Sequence, residues 1–497
     1  MSSSVTDKMI AMAKRIKSGL STNFLIVIIG LALAASSCKV GEPYRQPVLN
    51  LPPAFTYPGG VADTVDNIGT VNWRTFFRDS VLVALIDLGL EHNLDLRQAD
   101  AAVEIAREGV RRSTLARLPE ISIGVQAEQE RYSPNWDSGP NSLYYKDREA
   151  PARWFTTSSE FETALAASWE LDLWGKFRRQ KEAAYARMLQ SEAFRKAIQT
   201  SLVADIASSY YRLLMFHAKL KVAESNVRLN DSTSRIVKLQ YRAGQVTSLA
   251  VSQTESQKLI AESLIPQIQR DIQLEQHHLS ALLGRYPGDS IILGKELDDV
   301  SFLIHTSSGM PVELIRNRPD VEEAELALIE ANARVGAAQA MRYPSLRIGA
   351  NAGLAALDPS MVATPNALFG AFVGSLTQPV FQGRKLKSNY RVALAERDIA
   401  ELAFRKQVIE AVTEVSDKIV SIEKLREEYR IAEEQLVNSR VAVRQADLLF
   451  KTGHANYLEV INAQENALNV ELGLAEVRMK LLISVVELYR ALGGGWR

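Results

Sequence analysis

Between Arg384 and Phe450 the chain runs for about 67 residues without a proline or a glycine. Apolar residues recur along it at Val408, Ala411, Val415, Ile422, Leu425, Tyr429, Ala432, Leu436, Val443, Ala446 and Phe450, interrupted by Lys418 and Ser439. That spacing is a heptad seam. At 1.5 Å per residue the helix it predicts is roughly 100 Å long. A globular core rarely holds a helix of that length. The run stops at Lys451-Thr452-Gly453-His454, where glycine suits the left-handed position past a helix end. A second helical pattern, Tyr457 to Leu492, brings the chain back. The element is a long antiparallel helical hairpin.

The same object occurs earlier. Lys176 to Tyr241 reads as one arm, Arg242-Ala243-Gly244-Gln245 as the turn and Leu249 to Leu283 as the return. The tips align without gaps at an offset of 209 residues, Tyr241-Arg242-Ala243-Gly244 over Phe450-Lys451-Thr452-Gly453. Upstream, Arg117-Leu118-Pro119 lies over Arg342-Tyr343-Pro344 at an offset of 225. An internal duplication of this kind fixes the architecture before any other argument.

The strands follow from alternation. Ile121, Ile123, Val125 and Ala127 are apolar between Ser122, Gly124, Gln126 and Glu128, and Phe161 to Trp169 alternates likewise. A polar loop with aromatics, Arg131 to Ser159, joins them. The second copy repeats the pattern at Leu346 to Leu354 and at Phe369 to Thr377. Four strands of about ten residues have the length of membrane β-strands. Four cannot close a membrane barrel, and an open edge in lipid is not viable. A membrane location therefore requires several chains, and three chains give twelve strands. A small soluble sheet capping the helices is the other reading, and periodicity leaves both open. Ser80 to about Ala116 reads as one helix ended by Pro119. A further helix starts at Pro319-Asp320, and Pro266 should kink or break the first return arm.

Ahead of the repeats, Lys8, Lys14, Arg15 and Lys17 precede the apolar run Phe24 to Ala35, which is too short for a comfortable span and reads as a secretory signal. Cys38 follows and is the only cysteine, so no internal disulfide is available. The small residues before it resemble a bacterial lipoprotein cleavage site, with Ala35 where the usual leucine stands. That resemblance implies that Cys38 becomes a lipidated N-terminus tethered to a membrane surface. Lys39 follows, not the aspartate that in some bacteria retains lipoproteins in the inner membrane. The Pro- and Gly-rich stretch from Gly41 to Gly69 reads as an extended strap.

The chain thus divides into a signal segment (1–37), a lipidated strap (38–79) and a first repeat (80–283), with its β-hairpin at about 119–170 and its helical tip at 242–246. A linker (284–310) leads to a second repeat (311–492), with a β-hairpin at about 344–380 and a tip at 451–456, and to a short end (493–497).

Lys+Arg and Asp+Glu both number 58, so no basic excess points to nucleic acid. No catalytic constellation is apparent. His277 and His278 are adjacent and point apart on a helix. Zinc-protease histidine spacing, a phosphate-binding glycine loop and a Gly-x-Ser-x-Gly elbow are all missing. The nine methionines are scattered, which favours no copper or silver specialist. The expectation is a protein that is not an enzyme and holds no cofactor or metal.

Several motifs in order resemble one family. They are Asn93-Leu94-Asp95-Leu96-Arg97-Gln98-Ala99, the run Ser168 to Lys176, Arg318-Pro319-Asp320-Val321, Tyr343-Pro344-Ser345-Leu346 and the ending Leu488 to Trp496. They are similar to the TolC/OprM-like outer membrane factors, in particular the lipoprotein branch serving RND efflux systems. The resemblance implies a mainly α, trimeric fold. Four strands per chain would form a twelve-stranded membrane β-barrel, above a long periplasmic helical barrel built from the repeated hairpins. An equatorial belt would draw on the segment near Gly284–Met310 and on the C-terminus. It implies a passive exit duct in the outer membrane, docked to a periplasmic adaptor and an inner-membrane RND transporter. Arg242, Gly244, Lys451 and Gly453 would be the adaptor-facing tips. Leu458, Glu459 and Asn462 would line the periplasmic aperture. Asn462 departs from the family's acid, and Ala250 stands at the position of the first tip that matches Glu459. Three Glu459 side chains in a ring would repel one another and attract cations. The duct of a protein-secretion system and a non-conducting structural lipoprotein are the competing functions.

Overall fold

The computed structural model describes residues 40–57, 60–61, 67–133, 156–288, 291–300 and 311–497. The signal segment, Cys38 and most of the loop between the first two strands lie outside these residues. The chain packs as two units that cut across the sequence repeats. Among the described residues, a strand unit takes those within 1–45, 107–186 and 329–399; a helical unit takes those within 46–106, 187–328 and 400–497. Each repeat contributes to both.

In the strand unit, β1 (Glu120–Tyr132), β2 (Thr156–Leu171), β3 (Ser345–Ala356) and β4 (Leu368–Thr377) form one antiparallel sheet in chain order. The hairpins of the two copies are joined through β2 and β3, with Leu171 opposite Leu346 and Phe161 opposite Ala356. β1 and β2 are longer than the alternation suggested, at 13 and 16 residues. They extend into the stretch read as loop because Arg131, Tyr132 and Thr156 to Ser159 continue the pairing. Gly353 is required where it stands: a Cβ there would meet the Thr163 carbonyl oxygen at 2.1 Å. At one end of the sheet the Trp169 indole N–H donates to the Arg117 carbonyl (2.7 Å) and that of Trp174 to the Pro344 carbonyl (2.6 Å). Residues 40–55 of the strap form no helix or strand and are pinned here, whereas Thr56–Tyr57 pairs with Gly60–Val61 and Trp73–Phe76 is helical. Arg179 donates to the carbonyls of Gly41 (2.6 Å) and Val40 (3.4 Å), and Asn332 to that of Glu42 (3.1 Å).

The helical unit contains α1 (Ser80–His92) and α2, which begins at Leu94 and ends at Leu115 in the strand unit. The sequence read these as one helix. Asn93 divides them: it takes an extended ψ of 131°, and its Oδ1 accepts from the Asp95 and Leu96 amides. Its Nδ2 donates to the Leu282 carbonyl at 2.9 Å. A helix-interior asparagine would forfeit that cap and that bond.

The hairpin arms are α3 (Lys176–Arg242), α4 (Ser248–Leu282), α6 (Lys385–Lys451) and α7 (Tyr457–Ala491), and α5 (Pro319–Ala340) precedes β3. α4 passes through Pro266 without a break, contrary to one of the two expectations for that residue. The heptad seam of α6 is real in a single chain. Val408, Ala411, Val415, Ile422 and Phe450 are buried and the other seam residues half-buried. Its polar exception Lys418 is paired with Glu487 of α7. One buried cluster of the core gathers Leu82, Ile86, Ile206, Tyr210, Tyr211 and Tyr489. The Tyr210 hydroxyl donates to Asp79, which caps α1, and accepts from the Gly294 amide, so the linker is tied to the core. Burial, then the bond to Asp79, push the Tyr210 phenol well above its ordinary pKa.

Candidate functional site

The two tips are built alike. In the first, the Gly244 amide donates to the Tyr241 carbonyl and the Gln245 amide to that of Gln240. In the second, Gly453 donates to Phe450 and His454 to Leu449. These bond pairs are the Schellman closure, which needs a left-handed residue, and Gly244 (φ 73°) and Gly453 (φ 76°) supply it. Arg242 and Lys451 sit at the ends of the outgoing arms, both exposed, with Lys451 paired to Asp447 at 2.7 Å. Under the turns Val237, Ala250, Phe450 and Val460 form a small buried cluster, and the Tyr457 hydroxyl donates to Gln253. The four tip residues are therefore brought together by a shared core.

Past the second turn, Asn456 caps α7 by accepting from the Leu458 (2.9 Å) and Glu459 (3.2 Å) amides. Leu458, Glu459 and Asn462 are all exposed, while Val460, Ile461 and Gln464 are buried. The three aperture candidates thus share the free face of one helix. The counterpart of Glu459 in the first tip does not: Ala250 is wholly buried, while Leu249 and Gln253, which match Leu458 and Asn462, are exposed. Position 250 faces inward in the fold, whatever its alignment with 459.

Sequence reasoning missed two polar contacts that hold these arms. Gln464 of α7 donates to Thr233 of α3 at 3.1 Å, both buried. Arg478 of α7 donates to the carbonyls of Leu297 (2.9 Å), Asp298 (2.9 Å) and Val300 (3.2 Å) and to the Tyr429 hydroxyl (2.8 Å). It thereby fastens the described part of the linker to the hairpin. An arginine within a helix carries no sequence signal for this.

The motif at Arg318 gains a physical role. Its guanidinium, 8% exposed, takes both Asp320 oxygens (3.0 and 2.6 Å), Glu414 of α6 (2.7 Å) and the Ala491 carbonyl that ends α7 (2.8 Å). Burial acts to raise the Asp320 pKa. The Arg318 hydrogen bond and charge outweigh it and hold the carboxyl below the usual range. Among the described residues no group of three or more His, Cys, Asp or Glu is arranged to hold a metal ion.

Against known proteins, the family model for outer membrane efflux proteins matches residues 85–285 and 310–494. The chain is 27% identical over 471 residues to the cation efflux system protein CusC of Escherichia coli, covering 94% of this chain and 98% of that protein. It is 29% identical over 487 residues to the toluene efflux pump outer membrane protein TtgF of Pseudomonas putida, covering 94% and 96%. The structure resembles that of the outer-membrane channel OprN with a TM-score of 0.82, at 25% identity over 92% of this chain and 100% of that one.

Proposed function

The chain belongs to the outer membrane efflux protein family, and from that premise we propose that it is the exit duct of a tripartite efflux pump. The observation that carries the reading is the open sheet. Its strands have membrane length. β1 alternates exposed Ile121, Ile123 and Val125 with Ser122, Gly124 and Gln126, the apolar-out, polar-in pattern of a membrane barrel. Among the described residues the outer strands β1 and β4 have no partner on their far sides. Lipid does not tolerate such edges. Three copies in a ring satisfy every edge with twelve strands. The strand unit then belongs in the outer membrane and the hairpins in the periplasm, and Cys38 carries the acyl anchor.

In this reading the protein does no chemistry. Substrate is chosen and driven by an inner-membrane RND transporter and handed on through a periplasmic adaptor, which docks on the tips around Arg242, Gly244, Lys451 and Gly453. The threefold axis brings Leu458, Glu459 and Asn462 of three chains together as the narrowest periplasmic ring. Leu458 forms an apolar constriction that resists wetting, and Glu459 draws cations into the mouth.

The test is mass and conductance of the detergent-purified protein. A trimer that conducts in a planar bilayer is expected, and a monomer with no lipid requirement would sink the reading. Leu458→Ala should raise conductance, Glu459→Gln should weaken cation preference in a salt gradient, and Asn462→Asp should strengthen it. If all three match wild type in conductance and reversal potential, the aperture lies elsewhere.

A further inference from the structure

Beyond Thr377 the chain runs Gln378-Pro379-Val380-Phe381-Gln382-Gly383 before α6 begins. Val380 is 95% exposed and Phe381 87% exposed. Adjacent large apolar side chains in that state are what an interface leaves on a lone subunit. The segment is fixed at both ends. Gln378 Nε2 donates to the Arg342 carbonyl at 3.2 Å. On the other side Gly383 (φ 54°) and Arg384 (φ 64°) turn the chain sharply, and the Lys385 amide closes on the Gln382 carbonyl at 3.0 Å. Arg384 is the one non-glycine residue with positive φ among the described residues. Such a conformation costs energy and persists where the surroundings demand the turn.

Strand direction says what lies beside this segment in the ring. Each neighbouring pair in the sheet is antiparallel, so Thr377 ending β4 and Glu120 opening β1 are at the same end. A second copy whose β1 pairs with this β4 brings its own Leu115 to Pro119 alongside residues 378–383. On that stretch Leu115 is 59% exposed and Leu118 60% exposed. Resting on the trimer reading above, we infer that Val380 and Phe381 seat on Leu115 and Leu118 of the neighbouring copy, as an apolar latch at the foot of each seam between protomers. The latch closes only between copies. Within one chain β1 and β4 are three strand spacings apart, about 14 Å, twice the reach of a disulfide.

The experiment uses the full-length protein carrying Phe381→Cys together with Leu118→Cys. Treated with an oxidant or a short bis-maleimide, it should run as a covalent trimer on a denaturing gel, and each single variant as a monomer. Phe381→Ser should lower by several degrees the temperature at which the trimer dissociates in detergent. Leu357→Ser, an equally apolar loss at a 73% exposed site just past β3, should leave it unchanged. A native trimer that gives no covalent species and an unshifted Phe381→Ser overturns the latch and spares the trimer. Absence of any trimer overturns the reading beneath it.

Discussion

Replacing Arg318 tests whether the motif that marks the family also holds the helical unit together. The guanidinium makes four bonds from a site only 8% exposed: two to Asp320, one to Glu414 and one to the carbonyl of Ala491. Removing one partner of a buried ion pair costs about 3–5 kcal/mol, because the other charge stays behind unpaired. Here the side chains left behind, Asp320 and Glu414, are 31% and 27% exposed. Water reaches them, so the expected loss for Arg318→Gln is nearer 2–3 kcal/mol by the same rule. Arg318→Lys keeps the charge and loses the planar fork, so it should recover only part of this. The pH dependence has a definite sign. Asp320 is held below its usual pKa, so its pairing stabilises the fold above about pH 4 and is lost as pH falls through the depressed value. Once Arg318 is gone, nothing it supplied is left to lose, and the gap between wild type and Arg318→Gln should narrow on acidification. Urea unfolding followed by far-ultraviolet circular dichroism measures both. A loss below about 1 kcal/mol, or a gap that is the same at neutral and at acid pH, would refute the reasoning.

Ala250→Glu places a carboxylate in the wholly buried cluster of Val237, Phe450 and Val460; an unpaired buried charge is costly, so amide exchange should speed up around both tips. Unchanged exchange there would mean that the cluster does not hold the tips. Cys38→Ser should abolish incorporation of a radiolabelled fatty acid while the barrel still forms, and equal label in the variant would disprove lipidation at that residue.

The arms were readable to within a residue or so, and for a physical reason. A stretch free of proline and glycine offers no strong breaker before its left-handed glycine, and Lys176–Arg242 and Lys385–Lys451 end beside Gly244 and Gly453. The strands were readable as elements, and less so in length, because their outer ends are polar. What escaped was decided by partners far away in the chain. Asn93 breaks a helix whose apolar spacing continues across it, since Leu282 offers its side chain a carbonyl. Pro266 breaks nothing, because the loss of one ladder bond is small beside the packing of its neighbours Ala261, Ile268 and Ile272. At the site, turn glycines and the exposed face around Glu459 follow from local spacing. The clamps of Arg478 and Gln464 follow from no local rule, since the linker carbonyls and the Thr233 hydroxyl that accept from them lie about 180 and 231 residues away.

The duplicated hairpins share their turns but not the packing of their return arms next to the tips. Over its first part the first return arm buries Ala250, Thr254 and Ala261, whereas the second buries Val460, Ile461, Gln464, Ala467 and Leu468; further along, buried Ile268, Leu279 and Ser280 match buried Val477, Leu488 and Tyr489. Shifted by the offset between the tips, the second set opens on Val251, Ser252, Glu255, Lys258 and Leu259. Near the tip it lies one or two positions later, a rotation of at least roughly 100° for a helix of 3.6 residues per turn. The matched leucines make the point: Leu259 is 57% exposed and Leu468 8%. Next to the tip one arm has turned about its axis relative to the other, while the turns and the far parts of the arms stayed alike. In the second copy the exposed face carries Leu458, Glu459 and Asn462; in the first the matching Leu249 and Gln253 are exposed as well and only position 250 is inside. Only the second copy can therefore offer an acid at this level to a shared axis, so a ring of three chains would present three carboxylates there and not six.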